Sequence, residues 1–334
     1  MSTEILAIAN DFSISTGHIT FTLSIIGNFL NIFVFTQLKC FRNNQCAFYL
    51  TVESLFSFLY GVIVFAITIL TSIYGDDATG RFLIWCRFRF FSAQLLVLTS
   101  SYTVAFAAID QFFSTHNRFS FRQVFTIKTA RCLVGISVCI WIIHSIIFCL
   151  FYNIQSLLLC NISNPTYLQY TTYFSFPLLI GLIPVFIASF FGFLAFRNVR
   201  RIVRRQLTIV RRRLDRQMTA MVAIRVIILV CLSLPYISYR IYTTNVPNLP
   251  SKPMEYARGR LIYVILFFLF NLNYTISFYI YVILLSRFRR QVKSVLLKKY
   301  WQLQKICCCG IKNNRIDPEN PESFNTNMDP NEND

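Results

Sequence analysis

The sequence predicts an all-α membrane protein: a seven-transmembrane helix bundle with its N-terminus outside, followed by a short interfacial eighth helix. Three observations predict this fold class. Of the 334 residues, 55% are hydrophobic and only 14% are charged, whereas a soluble domain has about 25% charged residues. The apolar residues gather into runs that are long enough to cross a bilayer. The positive charges are distributed very unevenly between the loops that connect those runs.

Seven runs of low charge are each long enough for a transmembrane helix, which needs about 20 residues. The third run begins near Arg87 and Arg89, whose long side chains are expected to snorkel to the interface. The sixth becomes strongly apolar only from Val226. The predicted spans are residues 18–38, 46–74, 83–113, 129–153, 167–196, 217–243 and 259–285.

The basic residues predict the orientation of the bundle. The chain has 32 Lys+Arg against 14 Asp+Glu, and 25 of these cations lie at one set of helix ends. Nine arginines between 197 and 216 and the region 287–315 supply most of them. The positive-inside rule therefore places this set in the cytoplasm. There it can attract anionic inner-leaflet lipids at about 1 kcal/mol per residue. The net charge of +18 is thus not a sign of nucleic-acid binding, which 35 Phe and 17 Tyr on uncharged runs also disfavour.

Two features on the predicted outer side agree with this orientation. Asn161 begins a glycosylation sequon in the loop after the fourth span, which a glycan can reach only outside the cytosol. A second sequon, at Asn273, lies within the seventh span and is discounted. Cys86 and Cys160 both lie on the outer side, where they can form a disulfide.

The two ends of the chain differ from the bundle. Residues 1–17 lack the basic and apolar segments of a signal peptide, so they are expected to form an extracellular tail. Basic and apolar residues alternate from residue 287, which predicts an interfacial amphipathic helix. The cysteines that follow it suit S-palmitoylation; they are Cys307, Cys308 and Cys309. The expected organisation is tail 1–17, bundle 18–286, amphipathic helix and palmitoylation site 287–309, and disordered cytoplasmic tail 310–334.

Short motifs follow one another in a specific order along the spans. They are Gly27-Asn28, Leu50-Thr51-Val52-Glu53, Asp110-Gln111-Phe112, Trp141, Pro184, Pro235 and Ser277-Phe278-Tyr279-Ile280-Tyr281. Over residues 15–310 this order resembles the rhodopsin-like (class A) G-protein-coupled receptor family. Glu53 stands where that family usually has Asp, and Gln111 where it has the Arg of Asp-Arg-Tyr. Tyr281 ends a string similar to Asn-Pro-x-x-Tyr, with the Asn and Pro replaced.

The resemblance implies a multi-pass receptor of the plasma membrane. Such a protein binds an extracellular peptide or small molecule and signals to a heterotrimeric G protein through helix rearrangement. An enzyme is not expected, because the three histidines lie at different depths and no nucleophile elbow, P-loop or dinucleotide motif is present. The alternative is a seven-helix ion channel or transporter with Glu53 on the ion route.

Glu53 is the one acidic side chain expected deep in the hydrocarbon region. A charge there costs about 2.5–3.5 kcal/mol, so the carboxyl must face the bundle interior, be protonated or be paired. The resemblance surrounds it with Asn28, Ser100, Asn273 and Ser277, a polar pocket for water or a sodium ion. The alternative is a neutral glutamic acid that only ties helices together.

Gln111 is the most informative departure from the family. The resemblance places Asp215 opposite it, where the family closes a resting lock with an Arg–acid pair. An amide cannot form an ion pair, so a Gln111–Asp215 lock would be weaker. Raised basal activity or unusual coupling is therefore the hypothesis. The alternative is that Asp110 caps a helix end near Lys128 or Arg131.

The prolines of the fifth and sixth spans are expected to be hinges. Pro184 and Pro235 each remove a helix hydrogen bond, which leaves a kink or local unwinding. In a receptor such points let the cytoplasmic half of the sixth helix move. Ser233 occupies the place of the family's aromatic toggle, so a mechanism that needs a Trp switch is in doubt.

The resemblance also implies an outer ligand cavity. Ala93 replaces the Asp of amine receptors, which argues against an amine, and a seventh span without Lys excludes a retinal Schiff base. Aromatic rings with one Arg suit a peptide or a small acidic ligand, although Tyr and Arg also anchor helices at membrane interfaces. The expected lining residues are Gln94, Tyr236, Tyr239, Arg240, Tyr263 and Phe267.

Overall fold

A computed structural model describes residues 1–38, 41, 44–67, 69, 73, 81–116, 126–154, 160–202, 209–245 and 253–297. Its first unit is Met1–Val292 and its second is Lys293–Asp334. The second unit is helical as far as it is described, to residue 297. The predicted palmitoylation site at Cys307, Cys308 and Cys309 and the tail 310–334 lie outside the described residues.

The first unit is a helical bundle with one small hairpin. Its helices are α1 (Ser2–Gln37), α2 (Gln45–Tyr60), α3 (Leu83–Ser114), α4 (Ile127–Leu150), α5 (Pro165–Tyr170, continued by Ile183–Ile202), α6 (Ile209–Asn245), α7 (Pro253–Leu272) and α8 (Ser277–Leu284). The hairpin pairs β1 (Tyr152–Ile154) with β2 (Cys160–Ile162) in antiparallel register. Residues 286–292 are helical as well.

Six of the described helices are long and apolar enough to cross a membrane, or seven if α7 and α8 count as one bent span. Large apolar side chains also lie on the outside of the bundle, where a soluble protein would place polar ones. On α4 the exposed residues are Ile136, Ile140, Ile143, Ile146 and Ile147. The chain is therefore an all-α, multi-pass membrane protein.

Helix α3 lies at the centre of the bundle and packs against α2, α4, α5 and α6. Small buried side chains such as Ser100, Ala105 and Ala108 allow this close approach, as is common in membrane helices. Helix α1 packs against α2, α7 and α8 and closes the bundle. Polar residues on several helices consequently face one shared interior.

Helix α1 is longer than the predicted first span. It begins at Ser2 and not near residue 18. The Thr16 hydroxyl donates to the carbonyl of Phe12 at 2.6 Å, and the Phe12 ring packs against Phe268 of α7 at 5.8 Å. The predicted tail 1–17 therefore continues the first helix and packs on α7.

The fourth span ends before its predicted boundary at 153. Helix α4 stops at Leu150, and the chain enters β1 at Tyr152. Arg87 of α3 donates to the Tyr152 carbonyl at 3.1 Å and to Asn153 Oδ1 at 3.0 Å. These bonds satisfy the strand's polar groups, and an apolar run alone does not predict them.

The seventh span is not the continuous helix predicted over 259–285. Helix α7 ends at Leu272, α8 begins at Ser277, and the two are bent by 63°. At the break, Asn28 Nδ2 donates to the carbonyl of Tyr274 at 2.9 Å. Non-helical backbone is tolerated at membrane depth when protein groups satisfy it.

The two prolines predicted to be hinges, Pro184 and Pro235, differ in the backbone that surrounds them. A π-helical segment, Thr171–Leu182, contains Pro177 and ends just before Pro184, so the expected irregularity in the fifth span is present. Helix α6 passes through Pro235 without a change of secondary structure. Gly61–Phe65, which continues α2, is also π-helical.

Candidate functional site

The interior of the bundle contains a buried ion pair between α2 and α6. Arg225 Nη2 lies 2.9 Å from Glu53 Oε1, and Arg225 Nε donates to the same oxygen at 3.2 Å. Arg225 Nη1 donates to Asn273 Oδ1 at 2.6 Å. Arg225 is 0% exposed and Glu53 1%. One guanidinium therefore connects α6 to α2 and to the break between α7 and α8.

This contact explains how Glu53 is accommodated at membrane depth. An isolated carboxylate there would have to be neutralised by protonation or by a partner. The sequence left open whether the Glu53 carboxyl faces the bundle interior, is protonated or is paired. In the structure the carboxyl is paired. The partner is Arg225, whose guanidinium supplies the positive charge directly at the carboxylate. The water or sodium pocket predicted near Glu53 stays a prediction.

Further hydrogen bonds extend from the ion pair. Ser57 Oγ donates to Glu53 Oε1 at 3.1 Å and lies 3.1 Å from Ser100 Oγ. Asn31 Nδ2 donates to Ser277 Oγ at 3.2 Å. Ser57 therefore connects Glu53 to Ser100, and Arg225 connects Glu53 to Asn273. Asn28 and Ser277 bond to separate partners near the helix break.

The sequence-based prediction missed Arg225, Ser57 and Asn31. Arg225 had a usable signal, because it is a basic residue in the sixth predicted span, and a lone deep acid requires one partner of opposite charge. The phenol of Tyr281, which the prediction included, is buried. Its ring packs against Phe288 at 5.8 Å.

A second polar contact links α3 to α6 near the predicted cytoplasmic end. Gln111 Nε2 donates to Thr219 Oγ1 at 2.7 Å and to the main-chain carbonyl of Asp215 at 3.4 Å. The expected contact between Gln111 and Asp215 is present through the Asp215 main chain, and Thr219, which the sequence did not indicate, is the nearer partner. Both bonds use the N–H groups of the amide, which do not require an ionised acceptor.

Asp110 precedes this contact and is 2% exposed. Its Oδ1 atom has no hydrogen-bond partner within the described part of the chain. Asp110, Lys128 and Arg131 are all described, and no ion pair joins Asp110 to either cation. Arg131 instead lines a cavity of about 570 Å³ with residues of α1 and α2, and the side chain is exposed.

Four of the six predicted ligand-binding residues lie together near the predicted outer ends of α6 and α7. The buried ring of Tyr236 lies 6.0 Å from Tyr263 and 5.8 Å from Phe267. The guanidinium of Arg240 lies over Tyr263 at 6.0 Å and over Phe176 of α5 at 5.3 Å. This aromatic cluster combines apolar surface with a positive charge.

The other two predicted ligand-binding residues make contacts between helices. Gln94 Nε2 donates to Ser175 Oγ at 3.1 Å and joins α3 to α5. Tyr239 OH donates to the Gly259 carbonyl at 2.8 Å and joins α6 to α7. Spacing along a helix does not show which face points inward, so these interhelical contacts could not be predicted from the sequence.

The predicted disulfide between Cys86 and Cys160 is present. It ties the outer end of α3 to β2. The ring of Phe90 stacks on Tyr152 of β1 at 3.8 Å, which holds the other strand against α3. Burial raises the pKa of the Tyr152 phenol, and the Arg240 guanidinium acts in the opposite direction. Arg240 therefore exerts its field on the hairpin as well as on the aromatic cluster.

The comparisons with known proteins do not identify a relative. No family model matches the chain, and no curated protein matches it significantly.

Proposed function

We propose that the protein is a seven-transmembrane receptor that binds an extracellular ligand at the plasma membrane and signals to a heterotrimeric G protein. The observation that carries the proposal is the network centred on Arg225. It joins α2, α6 and the break after α7 through side chains at positions that the resemblance marked. An interhelical contact of this kind is either formed or broken, and ligand binding can shift the populations of the two states.

Other features support the same proposal. The Cys86–Cys160 disulfide and the hairpin hold the outer end of α3, while Gln111 and Thr219 connect α3 to α6 at the opposite end. A ligand that bears on the outer part of α6 could thus bias a contact near the cytoplasm. The basic segment 197–216 and anionic inner-leaflet lipids would flank the surface for the G protein.

The channel or transporter alternative is weaker. An ion route needs a carboxylate that can exchange its partner for the transported ion. Glu53 Oε1 accepts bonds from Arg225 Nε and Nη2 and from Ser57. A fixed guanidinium at that oxygen repels a cation.

The test of receptor function uses basal guanine-nucleotide exchange and needs no ligand. Thr219→Val removes the 2.7 Å bond to Gln111, which is worth about 1 kcal/mol. We expect basal exchange on co-expressed G protein to rise by about fivefold. Gln111→Arg should lower it, since a guanidinium can pair with a carboxylate at Asp215. The measurement is binding of a non-hydrolysable GTP analogue to membranes.

Ser114→Ala is the matched control for these variants. Within the described part of the chain, the Ser114 hydroxyl donates to the carbonyl of Gln111 on its own helix, at 3.1 Å, and makes no contact with α6, so basal exchange should stay unchanged. Equal exchange in all three variants and the unmodified protein, across a panel of G proteins, would contradict receptor function. A membrane current without nucleotide exchange would favour the channel.

The orientation is tested by glycosylation. Asn161 is exposed in β2, whereas Asn273 is 0% exposed and bonds Arg225. We expect the protein from eukaryotic cells to lose mass on treatment with an N-glycosidase. Asn161→Gln should abolish that loss, and Asn273→Gln should leave it in place. A glycan that persists in Asn161→Gln would argue against this placement of the loop outside the cell.

A further inference from the structure

A cavity of about 570 Å³ lies where the predicted cytoplasmic ends of α1, α2 and α4 meet. Its walls include the last turn of α1 and the first two turns of α2 and α4. Helices α1 and α4 each pack against α2, so packed helices fix its shape. We call it the Arg131 cavity, after the basic residue on its wall. Its volume is within the range of small-molecule sites, about 300–1,000 Å³.

Arg131 gives the cavity its charge. Among the described residues that line the cavity, it is the one charged residue. The side chain is exposed, and within the described part of the chain it makes no ion pair and no hydrogen bond. Lys128, one turn earlier on the same face of α4, is exposed too, and the first turn of α4 contains no acid. Positive charge without a neighbouring acid attracts an anion.

The threonines of the cavity leave the role of donor to Arg131. The Thr36 hydroxyl donates to the carbonyl of Ile32 at 2.8 Å, and the Thr51 hydroxyl donates to that of Ala47 at 2.7 Å. Both hydroxyl protons are therefore used within their own helices. The planar N–H groups of a guanidinium match the oxygens of a phosphate.

Aromatic rings form the apolar part of the wall. They belong to Phe35, Phe41 and Phe48. The centroids of the Phe35 and Phe41 rings lie 5.5 Å apart, and both side chains are buried, so this part of the wall is rigid. A cation beside such a surface suits a molecule that has an anionic head and an apolar body.

The position of the cavity favours a lipid as that molecule. The positive-inside rule places these helix ends at the inner leaflet, where the anionic lipids of the cell are concentrated. Gly135 lies one turn deeper than Arg131 on the same face of α4. No atom of the described chain lies within 4 Å of the place that a Cβ of Gly135 would occupy. An acyl chain can therefore run from the cavity along α4 without meeting a side chain there.

We propose that the Arg131 cavity binds one anionic phospholipid of the inner leaflet, with its phosphate at the guanidinium and an acyl chain along the phenylalanine rings. Basic loops attract anionic lipids in general, whereas this inference assigns one lipid to one place. It goes beyond the proposed receptor function and does not depend on it.

The test measures the dissociation constant of the first bound lipid by native mass spectrometry of the purified full chain in detergent. Palmitoyl-oleoyl phosphatidylserine and palmitoyl-oleoyl phosphatidylcholine share their acyl chains and differ in net charge. We expect the phosphatidylserine to bind about tenfold more tightly. Glycerophosphoserine, the same headgroup without acyl chains, should bind at least about tenfold more weakly than the lipid, because it cannot cover the aromatic wall.

Two variants test the charge and the shape of the cavity separately. Arg131→Gln should weaken binding of phosphatidylserine by about tenfold and change binding of phosphatidylcholine little. Thr36→Phe places a ring at an exposed lining position, so it should weaken binding of both lipids by about tenfold.

Each variant has a matched control outside the cavity. Arg216→Gln removes an exposed cation near the predicted cytoplasmic end of α6. Thr22→Phe makes the same change as Thr36→Phe at another exposed position of α1, where the hydroxyl donates to the His18 carbonyl at 3.0 Å. Neither control should change the affinity for phosphatidylserine. The unfolding midpoint without lipid shows whether each variant is folded.

Several results would overturn the inference. Equal affinity for the two lipids would remove the role of charge, and equal affinity for glycerophosphoserine would remove the lipid. A loss in Arg216→Gln as large as that in Arg131→Gln would show general attraction to a basic surface. An unchanged affinity in Thr36→Phe would show that the lipid binds elsewhere. Nucleotide exchange enters none of these measurements, so failure of this site and failure of receptor function are distinguishable.

Discussion

Arg225→Met is expected to destabilise the folded protein by about 3–5 kcal/mol, because it leaves the Glu53 carboxylate buried without its partner. Both side chains are almost completely inaccessible, so water cannot replace the lost contact at Nη2, 2.9 Å away. Methionine fills a similar length of side chain, which limits the cavity. The measurement is the thermal unfolding midpoint of the purified protein in detergent, together with its yield.

The double variant Glu53→Gln/Arg225→Met isolates the ion pair from packing effects. With no charge left to bury, it should be more stable than Arg225→Met and should fall short of the sum of the two single changes by about 2 kcal/mol or more. Arg216→Met, an exposed position on the same helix, is the control. An Arg225→Met protein that unfolds at the temperature of Arg216→Met would contradict the proposed energetic role.

Removing the Cys86–Cys160 disulfide is expected to cost about 2–5 kcal/mol. The bond closes a loop with a sequence separation of 74 residues, so its loss frees a large stretch of the unfolded chain. It also releases β2 from α3. The double variant Cys86→Ser/Cys160→Ser avoids a lone reactive thiol. We expect a lower unfolding midpoint and less protein at the cell surface.

Cys149→Ser is the matched control for that experiment. Cys149 is a free, partly exposed cysteine near the C-terminal end of α4. Its replacement should change the free energy of unfolding by no more than about 0.5 kcal/mol, and the midpoint correspondingly little. A reducing agent should lower the midpoint of the unmodified protein and leave that of the double variant unchanged. Equal midpoints for the double variant and Cys149→Ser would show that the disulfide does not stabilise this fold.

The sequence predicted local features well. The third span was expected at 83–113 and is observed as Leu83–Ser114. Such a span is predictable because its length and apolar composition are properties of the segment itself. Cys86 and Cys160 were paired from their sidedness, and they are bonded. Phe288, within the amphipathic helix predicted from residue 287, is helical and fully buried. Each of these depends on properties of nearby residues.

Contacts between distant residues were predicted less well. Gln111 was matched to Asp215 by counting along a helix; it bonds the Asp215 main-chain carbonyl and also Thr219, one turn further on, which was not predicted. The contacts of Tyr239 and Gln94 with neighbouring helices were not predicted either, and their role in ligand binding stays a prediction. Counting gives the height of a residue in the bundle, while the rotation of each helix depends on how all of them pack.

By itself, the sequence determined that this chain is a helical membrane protein, and its loop charges predicted which side faces the cytoplasm. It also showed that Glu53 required neutralisation, because hydration is lost at that depth. Only the tertiary structure decided that Arg225, 172 residues away, supplies the charge. The break after Leu272 was likewise decided by packing. The physical reason is that burial is a local property of each segment, whereas partners across a bundle are chosen by the whole fold.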